Sequence, residues 1–291
     1  MSSKQRIAFL GLGVMGGGMA RRLAAAGFPL AVWNRTASGA EPLRDLGATV
    51  VSTPADAAAE ADIVISMLAD DAASWSVWAG SGGALERIPR GAIVVECSTV
   101  SPTWVAELTA LAAAKGCAAI DAPVTGSRTQ AANGELQFLV GGDAAVLERV
   151  RPVLAAMARN IVHVGPAGSG ARLKLINNYL CGVQAAALAE AVVLIEQSNL
   201  SLEASLGVLQ NGAPGSPLVK AVSNRMASRD YAVNFKLGLM TKDLSYAIGL
   251  AEASGLTLEQ AATTKRLMER TAEAGYAKNY YTAVIRTMEK R

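Results

Sequence analysis

The sequence predicts an α/β protein: a mainly parallel, doubly wound sheet at the N-terminal end, joined by a long helix to an all-helical C-terminal domain. Three observations carry this reading. Short apolar runs alternate with helical patterns through the first half of the chain, as strands connected by crossover helices do. The first run leads directly into a glycine pattern, Gly11-Leu12-Gly13-Val14-Met15-Gly16. After Ile161-Val162-His163-Val164 the strand signal stops and helical periodicity remains.

Taken in order, Ile7-Ala8-Phe9-Leu10 is a short apolar run followed by glycine, as expected of a buried strand. Met15 to Ala26 reads as a helix ending at Gly27. Leu30-Ala31-Val32-Trp33 is the second strand; Ile63 to Met67, Ala92 to Cys97, Ala118 to Ile120 and Leu136 to Val140 are further strands. Helices occupy Pro102 to Lys115 and Ala144 to Met157. Gly165-Pro166-Ala167-Gly168-Ser169-Gly170 reads as a flexible joint dividing the chain into domains 1–165 and 166–291. A long helix opens the second domain from Ser169, with later breaks near Asn211 to Pro217, Ser228 to Asn234 and Ser254 to Leu256.

The placement of the glycine pattern between strand and helix is what a dinucleotide site needs. Gly11 lets the backbone turn tightly, Gly13 lets it approach a pyrophosphate, and Gly16 lets the helix pack close to the strand. The phosphates then rest on the helix N-terminus, with Leu12, Val14 and Met15 part of the same turn. A strand-to-helix turn that binds nothing is the plain alternative. The pattern makes the first domain a Rossmann domain, whose second strand ends where the adenosine ribose lies. An NAD site wants Asp or Glu there, and this chain has Asn34-Arg35-Thr36. A carboxylate repels a 2′-phosphate, whereas a guanidinium stacks on adenine and bonds the phosphate, with Asn34 and Thr36 adding neutral donors. NADP(H) is therefore expected in preference to NAD(H); otherwise Arg35 is a solvated charge.

Composition excludes several classes of partner. At 291 residues, 51% hydrophobic and 18% charged, the chain is long enough for one large domain or two smaller ones, each with its own core. A net charge of +3 without a Lys/Arg block implies neither nucleic acid nor an anionic membrane. Met1 to Arg6 leads into the first strand without a signal-type apolar region, so a cytoplasmic location is expected. The longest apolar stretch, Tyr179 to Ile195, is interrupted by Gln184 and Glu190 and reads as a buried helix, not a membrane span. Cys97, Cys117 and Cys181 lack metal-ligand spacing and read as apolar core residues of a reducing compartment; no metal site is expected.

In a nucleotide domain joined to a helical one, substrate is expected to meet nicotinamide in the cleft between them. Residues near the joint are thus the first candidates for chemistry. Lys174 and Asn178 are four apart and share a helix face. Hydride reduction of a carbonyl requires a proton donor or positive charge at the oxygen, which a partly buried lysine supplies and an asparagine orients. The same residues also fit a polar helix end at the surface. The single histidine, His163, sits in an apolar strand and reads as structural, which leaves lysine favoured as the acid.

Four segments together resemble the β-hydroxyacid dehydrogenase family, which includes 3-hydroxyisobutyrate dehydrogenase, tartronate semialdehyde reductase and the glyoxylate/succinic semialdehyde reductases. They are the glycine pattern with Met19-Ala20, Asp121-Ala122-Pro123-Val124-Thr125-Gly126-Ser127, Gly168 to Asn178, and Lys242-Asp243-Leu244, spanning nearly the whole chain. The resemblance implies that Lys174 is the catalytic lysine and Asn178 its neighbour one turn on. It makes Thr125-Gly126-Ser127 the loop that holds a substrate carboxylate through hydroxyl and N–H groups. It also implies that Lys242 closes over nicotinamide and substrate, and that Met67, Leu68 and Thr99 line the cofactor at strand ends. Phe235 joins the implied substrate residues. Without the family, Lys242-Asp243 reads as a solvated pair on a helix.

Departures from the family pattern refine this reading. Thr125 replaces a serine, Ser127-Arg128 replaces glycine and a small or apolar residue, and Gln130 stands where many relatives have glycine. The loop, with Trp33-Asn34-Arg35, most resembles the NADPH-dependent glyoxylate/succinic semialdehyde reductases; Arg128 reaches toward a longer anionic substrate or points to solvent. The expected activity is NADP(H)-linked hydride transfer to or from a small carboxylate-bearing aldehyde or hydroxyacid. An imine reductase of the same fold and a non-catalytic nucleotide-binding scaffold are the alternatives. The apolar helix after Lys174 also predicts a homodimer or homotetramer.

Overall fold

Apolar runs too short for helices become the centre of a sheet. The computed structural model describes residues 4–289. Its strands are β1 (Ile7–Leu10), β2 (Leu30–Trp33), β3 (Thr49–Val50), β4 (Ile63–Ser66), β5 (Ile93–Glu96), β6 (Ala118–Asp121), β7 (Val124–Thr125), β8 (Leu136–Gly141) and β9 (Ala158–Gly165). They form one sheet in the order β3-β2-β1-β4-β5-β6-β8-β7, with β9 also pairing β8. From β3 to β6 every pairing is parallel; β8 runs antiparallel to β6 and β7 and parallel to β9. The two-residue strands β3 and β7 are too short to give a pattern of their own and were not anticipated.

Alternation along the strands builds two cores. Ile7 and Phe9 of β1, Ile63 and Ile65 of β4, and Ile93 and Val95 of β5 face one side. Ala8 and Leu10, Val64 and Val94 face the other. Strands buried on both faces need helices on both, which explains their unbroken apolar runs. Helices α1 (Gly16–Ala25) and α7 (Ala144–Ala155) cover the first side, with α2 (Glu41–Arg44) and α6 (Arg128–Asn133) contributing Leu43 and Ala131. Helices α3 (Pro54–Ala58), α4 (Asp71–Trp78) and α5 (Pro102–Ala114) cover the second. The strand order reverses between β1 and β4, so the carboxyl ends of those two strands flank the crevice in which such sheets take ligands.

The chain divides into two compact units, Met1–Lys174 and Leu175–Arg291. The helix that crosses the division, α8 (Ser169–Gln197), is followed by α9 (Leu202–Asn211), α10 (Pro217–Ala227), α11 (Leu237–Glu252) and α12 (Glu259–Thr271), then a π-turn and a 3-10 segment. The breaks between α9, α10, α11 and α12 fall where Pro, Gly, Ser and Asn cluster. Val192, Val222, Met226, Leu237, Met240 and Met268 centre the helical core. By length and mean hydropathy α8 matches a membrane span, yet half of its most apolar window is buried inside the chain. The expectation of a buried helix holds for one side: Ile176, Leu180 and Leu194 lie exposed on the other.

The glycine-rich joint is not a loose linker. Gly168 and Gly170 are buried, and α8 begins inside the joint at Ser169. A Cβ on Gly170 would lie 2.2 Å from the Leu139 carbonyl oxygen, so glycine serves close backbone approach at this point, not freedom of movement. The first turns of α8 fold with the sheet because a buried carboxylate, Asp121, holds them.

Candidate active site

At the β1–α1 turn the three motif glycines have distinct work. Gly11 has a φ of +95°, and a Cβ there would meet the Met67 carbonyl oxygen at 2.5 Å. A Cβ on Gly16 would lie 2.0 Å from the Gly11 carbonyl oxygen, so the turn closes only with glycine at that position. Beside Gly13 there is open space within 4 Å, the room a pyrophosphate needs against bare backbone. No side chain caps α1 and no acid stands in its first turn, whereas α4, α5 and α7 are capped by Asp70, Ser101 and Asp143. An open, uncapped helix N-terminus fits a dinucleotide phosphate.

The end of β2 divides its tasks. Asn34 accepts from the Leu12 N–H at 2.9 Å through Oδ1 and donates to the Thr36 carbonyl at 2.8 Å through Nδ2. The side chain expected to offer the cofactor a neutral donor thus braces the glycine turn itself. Arg35 lies in an open groove with Trp33, Ser52, Glu41 and Arg44. Glu41 pairs with Arg44 at 3.1 Å, and Arg35 has no ion-pair partner among the described residues.

Beneath the ends of β4 and β5 lies a buried network that sequence reasoning did not find. Glu96, 1% exposed, accepts from the Ser98 N–H at 2.8 Å, from the Trp78 indole at 3.1 Å and from the Ser74 hydroxyl. Trp104 donates to Ser74 Oγ at 2.7 Å, and the Leu68 N–H donates to Ser98 Oγ at 2.7 Å. Met67, Leu68 and Thr99 are half-buried at these strand ends, and the network fixes the backbone from which they project. Cys97 in the same layer is buried, and burial first, then the Glu96 charge, push its thiol well up, so it is inert as a nucleophile.

Thr125 closes β7 opposite Gln137, half-buried, and its hydroxyl has no hydrogen-bond partner among the described residues. Ser127 differs from the expectation. It is the N-cap of α6, accepts from the Thr129 N–H, and donates both its N–H, at 2.9 Å, and its hydroxyl to Gln130 Oε1. This capping box accounts for Gln130 and commits Ser127 to holding the loop's shape. Thr125 and Gly126 keep their hydroxyl and N–H clear of this capping box. Arg128 is exposed and lines a groove with Gly13, Val14, Gly17 and Arg21, beside the glycine turn.

Asp121, which opens this segment, is 1% exposed. Its Oδ1 accepts from the Gly168 N–H at 2.7 Å and its Oδ2 from the Ala171 N–H at 2.8 Å. Burial pushes its pKa up, against the backbone N–H groups that favour the carboxylate. Lys174, half-buried, follows on the same helix and is the last residue of the first unit.

In the second unit, Asn178 is 4% exposed and donates from Nδ2 to Asp243 Oδ2 at 2.6 Å. Asp243, 1% exposed, also pairs through Oδ1 with Lys242 Nζ at 2.9 Å. The Lys242-Asp243 pair is therefore not a solvated surface pair. Asn177 donates to Asn178 Oδ1 at 3.0 Å, so the Asn178 amide is held from both ends. Phe235 packs edge-on against Tyr281, ring centroids 5.8 Å apart. Elsewhere, His163 Nε2 donates to the Gly142 carbonyl at 2.8 Å, a structural contact on an outer strand.

Comparison with known proteins agrees with this layout. Residues 6–165 match the NAD-binding domain of 6-phosphogluconate dehydrogenase, and residues 168–288 the NAD-binding region of NADP-dependent 3-hydroxyisobutyrate dehydrogenase. The chain is 37% identical to an NAD-dependent L-serine dehydrogenase of Pseudomonas aeruginosa, covering 96% of both proteins. It is 32% identical to glyoxylate/succinic semialdehyde reductase 1 of Arabidopsis thaliana, over 97% of this chain and 98% of that one. A Mycobacterium tuberculosis 3-hydroxyisobutyrate dehydrogenase solved with L-serine superimposes with a TM-score of 0.89 at 33% identity, covering 99% of this chain and all of the other. With matches that run from the glycine turn to the last helices, the chain belongs to the β-hydroxyacid dehydrogenase family of nicotinamide-dinucleotide-linked oxidoreductases.

Proposed function

We propose that this protein is an NADP(H)-linked reductase of a small carboxylate-bearing aldehyde or ketone, working in reverse as a hydroxyacid dehydrogenase. The observation that carries the proposal is the linked set Asn178–Asp243–Lys242, with Asn178 and Asp243 buried, Lys242 half-buried, and Asn178 one helical turn beyond Lys174 in the sequence of the long helix. A helical core that had only to fold would be at least as stable with apolar residues in those places, because burying an ion pair costs desolvation that its attraction barely offsets. A polar set placed at that cost supports a role in chemistry.

NADPH, when bound, supplies the hydride. Thr125 and the Gly126 N–H hold the substrate carboxylate, Lys174 protonates or polarises the carbonyl oxygen, and Asn178, fixed by Asp243, orients Lys174 and that oxygen. The relatives' names share this substrate plan: L-serine and 3-hydroxyisobutyrate are hydroxyacids, and succinic semialdehyde is an aldehyde acid. The preference for NADP(H) is supported by the missing carboxylate at the end of β2 and by Arg35 standing exposed in the adjoining groove. The exposed side of α8 supports assembly into a homodimer or homotetramer, which light scattering measures directly.

Steady-state oxidation of NADPH and NADH against glyoxylate, succinic, methylmalonate and tartronate semialdehydes and a cyclic imine tests the activity. Turnover of an aldehyde acid with NADPH preferred is expected; turnover of the imine alone removes the roles of Lys174 and Thr125. Lys174→Ala is expected to lower kcat by on the order of a hundredfold or more with the fold intact. Near-normal turnover in that variant overturns the mechanism. Arg35→Ala is expected to weaken NADPH by about tenfold to a hundredfold, the worth of a charged hydrogen bond, and to leave NADH nearly unchanged. Equal losses for both nucleotides would end the case for NADP(H).

A further inference from the structure

We infer that Asp121 is a positioning residue that sets where Lys174 stands relative to the substrate loop, an inference that rests on the role proposed above for Lys174. Asp121 ends β6 and opens the segment that runs to Thr125. Its side chain points not toward solvent but to the start of α8, where each carboxylate oxygen accepts one backbone N–H, Gly168 at 2.7 Å and Ala171 at 2.8 Å. N–H groups at a helix start have no partner within the helix, so this carboxylate supplies what the helix cannot. Lys174 lies three residues beyond Ala171, or about 4.5 Å along the axis at 1.5 Å per residue. A tilt or slip of the first turn of α8 moves Lys174 with it.

The seat permits little movement. A Cβ on Gly170 would stand 2.9 Å from Asp121 Oδ2, and a Cβ on Gly141 would stand 2.5 Å from Asp121 Oδ1 and 2.8 Å from the Gly170 nitrogen. Strand β8, the carboxylate and the first turn of α8 are therefore packed backbone to backbone. The residue that begins the substrate loop also grips the helix that carries the lysine, so one side chain determines both positions. Asparagine has nearly the same shape but turns one acceptor into a donor, which opposes the N–H of Gly168 or Ala171.

The test is kcat for the fastest aldehyde acid, normalised to the fraction that binds NADPH, in Asp121→Asn, Lys174→Ala and the double variant. Asp121→Asn is expected to lower kcat by roughly tenfold to a hundredfold, the scale of a misplacement near 1 Å, while the Kd for NADPH changes by less than about threefold. The double variant is expected to be no slower than Lys174→Ala alone, because Asp121 acts through the lysine. Losses that multiply in the double variant, unchanged kcat in Asp121→Asn, or loss of NADPH binding in step with kcat each overturn the inference. If Lys174→Ala itself turns over normally, the role of the lysine falls first, and that result is read separately from the cycle. Should Asp121→Asn not fold, Asp121→Ser removes the carboxylate and leaves one short hydroxyl that cannot accept both N–H groups, and full kcat in that variant overturns the inference equally.

Discussion

The two units place their polar site residues by different means. In the sheet unit the contacts that brace loops and turns reach backbone groups: Asn34 to Leu12 and Thr36, Ser98 to Leu68, Glu96 to Ser98, Asp121 to Gly168 and Ala171, with the Ser74 and Trp78 side chains also held by Glu96. In the helical unit they run from side chain to side chain: Asn177 to Asn178, Asn178 to Asp243, Lys242 to Asp243. A helix interior has already paired its backbone groups, so side chains must find one another across helices. Strand ends and glycine turns leave backbone groups over, and one side chain can brace a whole loop. The sheet unit therefore builds a cradle for a ligand of fixed shape, and the helical unit builds a charged cluster whose members depend on each other.

The sharpest way to break this comparison is at Asp243. Asp243→Ala removes the acceptor shared by the buried Asn178 amide and the half-buried Lys242 ammonium. Removing one partner of a buried pair costs about 3–5 kcal/mol, so a large fall in denaturation midpoint at unchanged slope is expected. An Asn178→Ala, Asp243→Ala cycle should show coupling of about 1 kcal/mol or more, because the two side chains touch. Additive losses would show that the helical cluster is not mutual and that the contrast with the sheet unit is wrong.

Glu96 is the counterpart in the sheet unit and is expected to show a smaller effect. Glu96→Gln keeps the size of the side chain but sets an amide donor against Ser98 N–H or against Ser74 and Trp78. One buried mismatch of this kind costs about 1–3 kcal/mol. Because Ser98 in turn holds the Leu68 N–H, the loss should also reach the nucleotide, as weaker NADPH binding by fluorescence titration. A stability loss with unchanged NADPH affinity would confine the network to folding and remove it from the site.

The same contrast explains what could be read from the chain. The glycine turn and the buried strands announce themselves through spacing, because backbone geometry leaves its mark on neighbouring residues, whereas the glycine-rich joint reads as a flexible linker and is tightly packed. Thr125 and Lys174 were reached through family segments and the order of elements. Asp243 gave only an adjacent Lys-Asp pair, indistinguishable in sequence from a solvated one, since its partner Asn178 is 65 residues away. Glu96 was hidden as one polar residue at the end of an apolar strand, its partners scattered over Ser74, Trp78 and Ser98. Ser127 was read as a substrate donor because a capping box needs Gln130 to be recognised as its second half. Contacts between distant side chains carry no period, so they appear only when the fold is in hand.

The smallest effect belongs to His163, where the sheet unit again uses a side chain against backbone. Its Nε2 donates to the Gly142 carbonyl, and Gly142 itself donates its N–H to the Gly165 carbonyl, so the contact fastens β9 to the turn after β8. The residue is exposed on a strand that, among the described residues, pairs only β8, on the opposite side from β7. His163→Gln therefore loses one neutral hydrogen bond at most, about 1 kcal/mol of stability, and glutamine can restore part of it by donating to the same carbonyl. Turnover should be unchanged at saturating substrate, and the pH profile of kcat should keep its shape, because the proposed acid is Lys174. A kcat that fell tenfold or more in this variant while the fold stayed intact would return the histidine to the chemistry and make an outer strand, not the first turns of α8, the source of the proton.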